Sequence, residues 1–275
     1  MSPYREKFLV IAQITDFHLR VDGKLYNDDI DTKAQLEICI SHLNRLDPRP
    51  DLVLATGDLA DEPDDDTYSA MREIFERLKM PIYVIPGNHD DRDMVRRAFS
   101  PLGYLPANGP YLHYTIEDYP LRMIGLDTLE NDGEGAEMCA DRLRWLDDRL
   151  SEQPDRPTFI FMHNQPIMTR MGYIEKNAFP GAAEMENLIR RHQHVEWITC
   201  GHLHRPIQMR WGGTTVSIAP SSAFQRTLTL DNNMDKAFID EPPGMLIHMW
   251  TPEIGIISHI SLIGDFGAPY PMREA

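Results

Sequence analysis

Cysteine is scarce in this sequence: Cys39, Cys139 and Cys200 are the only three in 275 residues. An odd, scattered count argues against a disulfide framework or a thiolate metal site, and it fits a reducing compartment in which all three are expected to be buried thiols. Positive charge is also in short supply. Twenty-seven Lys and Arg stand against 43 Asp and Glu, a formal net charge of −16, and such a field repels polyphosphate backbones. A nucleic-acid polymer is therefore a poor partner. Long apolar runs are missing too, since no stretch reaches the ~20 residues a membrane span needs. The start, MSPYREKFLVIAQITD, enters a short apolar segment with no small-residue cleavage site after it. The expected location is the cytoplasm, with no membrane association. Neither a phosphate-cradling P-loop nor a G-x-S-x-G nucleophile elbow is found.

What the sequence does have is a hydrophobic content of 42%, enough to bury a sizeable core in one large α/β domain or a domain with an appended cap. Short Val/Ile/Leu-rich runs at 8–15, 52–56, 82–85, 122–126, 158–162 and 197–200 read as strands covered on both faces. Between them, apolar residues recur at helical steps. Leu36, Cys39, Ile40, Leu43 and Leu46 form one stripe, Tyr68, Met71, Phe75 and Leu78 a second, Leu143, Leu146 and Leu150 a third, and Met185, Leu188 and Ile189 a fourth. These are core faces without chemistry. After Cys200 the runs IQMRW, TTVSI, MLIHMW and IGIISHISLI, punctuated by Gly-Gly and Pro-Gly, suggest antiparallel hairpins. The acidic stretch DLADEPDDDT at 58–67 reads as a solvated loop leading into a helix N-terminus.

The polar residues that end these strands form a coherent set: Asp16-Phe17-His18, Gly57-Asp58, Gly87-Asn88-His89-Asp90, His163-Asn164 and Gly201-His202-Leu203-His204. Function gathers at the carboxyl edge of strands in open α/β sheets, so all five groups are expected on one rim of one sheet. Residues two apart share a face of an extended segment, which would let His202 and His204 converge on a single centre. Singly, each residue has a bland reading as a turn former or a satisfied core histidine. Together they offer carboxylate, imidazole and amide donors without thiolate, the set that suits Mn, Fe, Co or Zn. Seven candidates, Asp16, His18, Asp58, Asn88, His163, His202 and His204, are too many for one ion. They divide into two shells if Asp58 bridges two ions roughly 3.5 Å apart. Such a centre carries net positive charge and would draw an anionic phosphate ester to an acidic chain.

The order D-x-H, G-D, G-N-H-D, a single H after a strand, and G-H-x-H, spanning 16 to 204, resembles the calcineurin-like metallophosphoesterase family. Within it the resemblance is strongest to the bacterial class III cyclic-nucleotide phosphodiesterases and glycerophosphodiesterases, as GKLYNDDIDT (23–32) and VIPGNHDD (84–91) also suggest. The resemblance implies a four-layer α/β sandwich, two mixed sheets flanked by helices, with a small C-terminal cap or oligomerisation segment. It implies a catalytic domain over 1–220, and C-terminal strands and tail over 221–275. Asp16, His18, Asp58 and His204 would hold one divalent ion, and Asp58, Asn88, His163 and His202 the other. His89 would be catalytic, beside the scissile phosphate, with Asp90 either orienting it or capping the next helix. The implied reaction is in-line hydrolysis of a small phosphodiester, a cyclic nucleotide or a glycerophosphodiester, by a metal-bound water. The alternatives are a phosphomonoesterase or nucleotide-sugar or pyrophosphate hydrolase on the same fold, and a non-catalytic scaffold, which loss of ligands would favour.

Two departures from the family pattern concern the substrate. Asn164 in MHNQPI replaces a second histidine, which places the change in the substrate pocket or behind the ligands, and APSSAFQRTL (219–228) offers Phe224 and Gln225 where glycerophosphodiesterases place another histidine. Asn164, Phe224 and Tyr26 are accordingly candidate substrate contacts, with Arg20 and Lys24 near the entrance. The six other histidines read as structural. The tail GDFGAPYPMREA is expected to pack against a partner in a homo-oligomer.

Overall fold

The computed structural model describes residues 8–21, 23–131, 135–171, 178–230, 236–267 and 270–271. The N-terminal MSPYREK and much of the expected oligomerisation tail lie outside them. In chain order the elements are β1 (Leu9–Ile14), α1 (Thr32–Arg45), β2 (Leu52–Thr56), α2 (Asp65–Phe75), β3 (Ile82–Ile85), α3 (Arg92–Phe99), β4 (Tyr114–Ile116), β5 (Arg122–Leu126), α4 (Ala140–Glu152), β6 (Thr158–Met162), α5 (Ala182–Arg191), β7 (Val195–Cys200), β8 (Ile207–Trp211), β9 (Thr214–Ile218), β10 (Gln225–Arg226), β11 (Phe238–Ile239), β12 (Gly244–Thr251) and β13 (Gly255–Leu262).

The strands form two large mixed sheets and a two-stranded ribbon, β10-β11. The first sheet runs β13-β12-β1-β2-β3 and the second β4-β5-β6-β7-β9-β8. Because β1 is apolar on both faces, it can face two layers at once. Leu9 and Ile11 join Phe159, Phe161 and Trp250 in the core between the sheets, whereas Ala12 and Ile14 meet α1 and α2 through Leu36, Ile40 and Met71. On the other side of the second sheet, Ile160 and Ile198 pack on Leu146 of α4 and Met185 of α5. Four layers result: helices, sheet, sheet, helices. The apolar stripes lie on these helices, and three of the helices start on aspartate caps: Asp31 accepts from the Ala34 N–H, Asp64 from Thr67 and Asp91 from Met94.

One polar link crosses the middle layer. Gln13 donates from Nε2 to Thr56 Oγ1 and to the Cys200 carbonyl, both at 2.9 Å, while its Oε1 accepts from Thr199 Oγ1 at 2.6 Å. Being buried, these bonds are costly to leave unmade, and they fix how the ends of β1, β2 and β7 sit relative to one another. The late hairpins β8-β9 and β12-β13 are antiparallel as expected, but β9 lies parallel to β7 and β12 antiparallel to β1. The C-terminal strands therefore complete both sheets. Cys39 and Cys200 are buried, but Cys139 at the start of α4 is partly exposed, contrary to expectation.

Candidate metal centre

All five polar groups follow strand ends, but on two sheets. Asp16, His18, Asp58, Asn88 and His89 follow β1, β2 and β3 of the first sheet, and His163, His202 and His204 follow β6 and β7 of the second. The single rim expected from sequence is a junction between two rims, because the apolar runs divide between two stacked sheets whose carboxyl ends face the same way. The loops are stitched laterally: Asp16 N donates to the Gly57 carbonyl, His18 N to the Asp58 carbonyl and Gly201 N to the His163 carbonyl, all at 2.9–3.0 Å.

Five of the seven candidate ligands hold positive φ: Asp16 54°, His18 44°, Asp58 47°, His202 74° and His204 53°. Left-handed backbone at a non-glycine residue costs on the order of 1–3 kcal/mol, so this concentration of strain marks a site the rest of the fold holds in place. Two glycines show how tight it is. A Cβ on Gly57 would lie 2.6 Å from His163 Nδ1, and one on Gly87 would lie 2.3 Å from Asp58 Oδ1. The motif glycines are there because the ligands pack against their backbone.

His202 and His204 are not in a strand, and the pair does not converge as expected. The left-handed turns at both residues send the rings to different partners. Donor atoms gather into three overlapping clusters: Asp16, His18 and His204; His18, Asp58 and His89; and Asp58, His163 and His202. His18 Nε2 lies 3.2 Å from His204 Nε2 and 3.6 Å from Asp58 Oδ2, and His204 Nε2 lies 3.3 Å from Asp16 Oδ1. His163 Nε2 lies 3.2 Å from Asp58 Oδ2 and 3.1 Å from Asn88 Oδ1. Asp58 thus joins the two sides, its other oxygen taken by the His89 backbone N–H at 2.9 Å.

The tautomers test whether this set fits cations. His163 Nδ1–H donates to the Thr56 carbonyl at 2.8 Å and His204 Nδ1–H to the Phe224 carbonyl at 3.1 Å. A neutral imidazole so held turns the Nε2 lone pair inward. Those lone pairs meet carboxylate and amide oxygens, so acceptors face acceptors in a buried space, and a cation is what satisfies them. Titration tells the same story. Burial alone would lower the His163 pKa, yet Asp58 beside it reverses this and raises it to about 9, a proton standing where a metal would. Burial and the charge of His163 push His202 down to about 3, in the neutral form a metal requires.

His89 is half-exposed on the rim, its ring 4.6 Å from that of His18. Its Nδ1–H donates to the Asp61 carbonyl at 3.2 Å. The Asp61 carboxylate lies 3.6 Å from Nδ1 of both His18 and His89 and accepts from Arg20 Nε at 2.6 Å. Asp61 lies inside the acidic stretch that reads as a solvated loop, and its three-residue spacing after Asp58 is the signal in the sequence that marks it. Arg20 is tied to Asp61 and Glu62 rather than lining an entrance. Asp90 does neither of the jobs expected of it. It is buried and accepts from the Leu59, Ala60 and Gly87 N–H groups and the Tyr68 hydroxyl, while Asp91 caps α3.

The three candidate substrate residues separate. Asn164 is buried behind Asn88: its Nδ2 donates to Asn88 Oδ1 at 3.4 Å, and its Oδ1 accepts from Thr128 Oγ1 at 3.0 Å. Phe224 is buried against His204, ring centres 4.7 Å apart, and stacks on Tyr26 at 4.5 Å. Tyr26 lies 5.3 Å from His18, so these two rings wall the Asp16 side of the centre. On the opposite side, His89, Asn88 and Asp61 open onto a cleft of about 640 Å³ that Arg92, Glu130 and Asn131 also line.

Comparison with known proteins agrees with this geometry. The family profile described as calcineurin-like phosphoesterase matches residues 9–206. A probable glycerophosphodiester phosphodiesterase GpdQ from Arcobacter nitrofigilis is 34% identical over 264 residues, covering 96% of each chain. A 3',5'-cyclic adenosine monophosphate phosphodiesterase CpdA from Escherichia coli is 25% identical, covering 78% of this chain and 76% of that one. Among solved structures, a dimetal phosphatase from Danio rerio superposes with a TM-score of 0.61 at 15% identity, over 91% of this chain and 98% of that one. That last likeness concerns the fold alone.

Proposed function

The chain belongs to the calcineurin-like phosphoesterase family, and from that premise we propose that it is a binuclear metal-dependent hydrolase of small phosphodiesters. The observation that carries the reading is the position of Asp58, whose Oδ2 lies 3.6 Å from His18 Nε2 and 3.2 Å from His163 Nε2 and so serves both sides of the centre. Asp16, His18, Asp58 and His204 would hold one ion, and Asp58, Asn88, His163 and His202 the other. Two divalent ions of the Mn, Fe, Co or Zn type, when bound there, supply Lewis acidity at the phosphoryl group and an acidified water. The protein residues do the rest. The Thr56 and Phe224 carbonyls hold the His163 and His204 tautomers that face inward. The Asp61 carbonyl fixes the His89 ring through its Nδ1–H, so that in the imidazolium form Nε2–H is available to the leaving oxygen. Tyr26 and Phe224 wall the Asp16 side, and the cleft beside His89 receives the leaving group.

The named activities of the two relatives, glycerophosphodiester and cyclic-nucleotide phosphodiesterase, support a diester substrate, and residues 1–220 are the proposed catalytic domain with 221–275 completing it. The test is turnover of bis-p-nitrophenyl phosphate against p-nitrophenyl phosphate by metal-depleted protein given back Mn, Co, Fe or Zn, with His89→Ala alongside. Preference for the diester, lost on depletion and cut on the order of 10²-fold or more in the variant, is the expected result. Preference for the monoester overturns the diester reading, and two bound metals without turnover of either overturn the enzyme.

A further inference from the structure

We infer that the ion pair Arg92–Asp127 positions the leaving group of the substrate, because it ties two loop segments of the cleft beside His89 to the helix that follows the catalytic motif. The inference rests on the reading above, in which that cleft receives the leaving group. Gly109 and Pro110 line the cleft from one segment, and Leu129, Glu130 and Asn131 from another. Neither segment lies within a helix or strand named above, so each is placed by what its backbone groups are bonded to.

One carboxylate gathers both segments. Asp127 is fully buried, and its Oδ2 accepts from the Leu112 N–H at 2.9 Å while its Oδ1 accepts from the Leu129 N–H at 3.1 Å. Arg92, the first residue of α3, meets the same two oxygens. Its Nε donates to Oδ2 at 2.6 Å and one terminal nitrogen to Oδ1 at 3.1 Å, and that nitrogen also donates to the Leu129 carbonyl at 2.6 Å. A guanidinium fork so engaged fixes distance and orientation together. One turn further along α3, Arg96 donates to the Pro106 carbonyl at 3.2 Å and to the Gly109 carbonyl at 2.6 Å. Arg142 of α4 gives the Leu129 carbonyl a second donor at 2.6 Å. Helix α3 starts on the Asp91 cap, directly after Asn88-His89-Asp90, so the pair relates both segments to His89 and to the ligand Asn88. A leaving group seated between them is presented to His89 in one orientation, and a displacement of about 1 Å in such a support can cost on the order of 10²-fold in rate.

Removing one partner would strand the other charge in the interior, so the experiment compares wild type with the double variant Arg92→Gln/Asp127→Asn and with Arg92→Lys, which keeps the charge but not the fork. All are loaded with Mn and checked for metal content and far-ultraviolet circular dichroism. The substrates are methyl p-nitrophenyl phosphate and methyl phenyl phosphate, which share the retained group; nitrophenolate leaves unaided, whereas phenolate needs a proton from a well-placed acid. Amide hydrogen exchange over residues 109–112 and 129–131 is followed by mass spectrometry. The expected result is faster exchange in both segments and unchanged metal content in both variants. Their kcat should fall on the order of tenfold or more with the phenyl ester but only a few fold with the nitrophenyl ester, and KM should stay within a few fold. Equal losses on the two esters overturn the inference, as do wild-type rates in Arg92→Lys, unchanged exchange in both segments, or a loss that tracks lost metal. Wild type that hydrolyses no diester refutes the activity, and exchange then still decides whether the pair holds the two segments.

Discussion

Asp90→Asn tests whether a single buried carboxylate holds two loops of the centre in register. Its Oδ2 accepts from the Leu59 and Gly87 N–H groups at 3.0 and 2.8 Å, and its Oδ1 from the Ala60 N–H and the Tyr68 hydroxyl at 3.1 and 2.8 Å. An asparagine has one acceptor oxygen. The less costly orientation puts its NH₂ in the Oδ1 position, since the Tyr68 hydroxyl can turn to accept whereas two backbone N–H groups cannot. One buried N–H, that of Ala60, is then left without a partner, at roughly 1–3 kcal/mol. Burial and the charge of Asp58 both raise the Asp90 pKa, so removing the charge offsets part of the loss. The balance predicts a melting temperature lower by about 2–8 °C, taking about 2–4 °C per kcal/mol for a chain of this size. Asp90→Ala orphans all four donors and should cost clearly more. Thermal unfolding followed by circular dichroism measures both variants. Asp90→Asn as stable as wild type, or Asp90→Ala no worse than Asp90→Asn, would refute the accounting.

Two further predictions follow from buried polar groups. His248 is fully buried, and burial pushes its pKa down to about 3; a depressed base contributes stability above its unfolded value near 6.5 that is lost as pH falls toward 3. His248→Leu should therefore flatten the acid limb of stability by up to about 1.4 kcal/mol per pH unit below 6.5. Urea titrations at pH 7 and pH 5 check this, and an equal loss of stability between the two pH values in wild type and His248→Leu counts against it. Asn164→Asp replaces the NH₂ that faces Asn88 Oδ1 with a carboxylate oxygen, which should turn the Asn88 amide and weaken the second of two Mn binding steps about 10- to 100-fold. Calorimetric titration of metal-depleted protein reads this, and two steps identical to wild type would show that Asn164 does not hold Asn88.

The strands were legible because they are buried on both faces: the runs at 52–56, 82–85, 122–126 and 158–162 match β2, β3, β5 and β6 residue for residue. Two-sided burial removes the alternation that would tell which sheet a strand joins, so neither the division into two sheets nor the parallel pairing of β9 with β7 could be read. The polar residues after the strands were legible for a simpler reason. Chemistry at strand ends leaves Asp, Asn and His directly after an apolar run, and Gly57 and Gly87 beside them record the close approach of backbone and ligand.

Sequence by itself determined the identity and order of the donor residues, and with them the chemistry the site can support, because residue type and position after a strand are local properties. Tertiary structure decided how those donors are shared. Left-handed backbone at His202 and His204 sends neighbouring rings to opposite sides of the centre. The Gln13 link sets one sheet end against the other. Asp61 comes to His18 and His89, and Thr128 to Asn164 behind Asn88, only when the chain folds. Those partners depend on distances between segments remote in sequence, which no local pattern encodes.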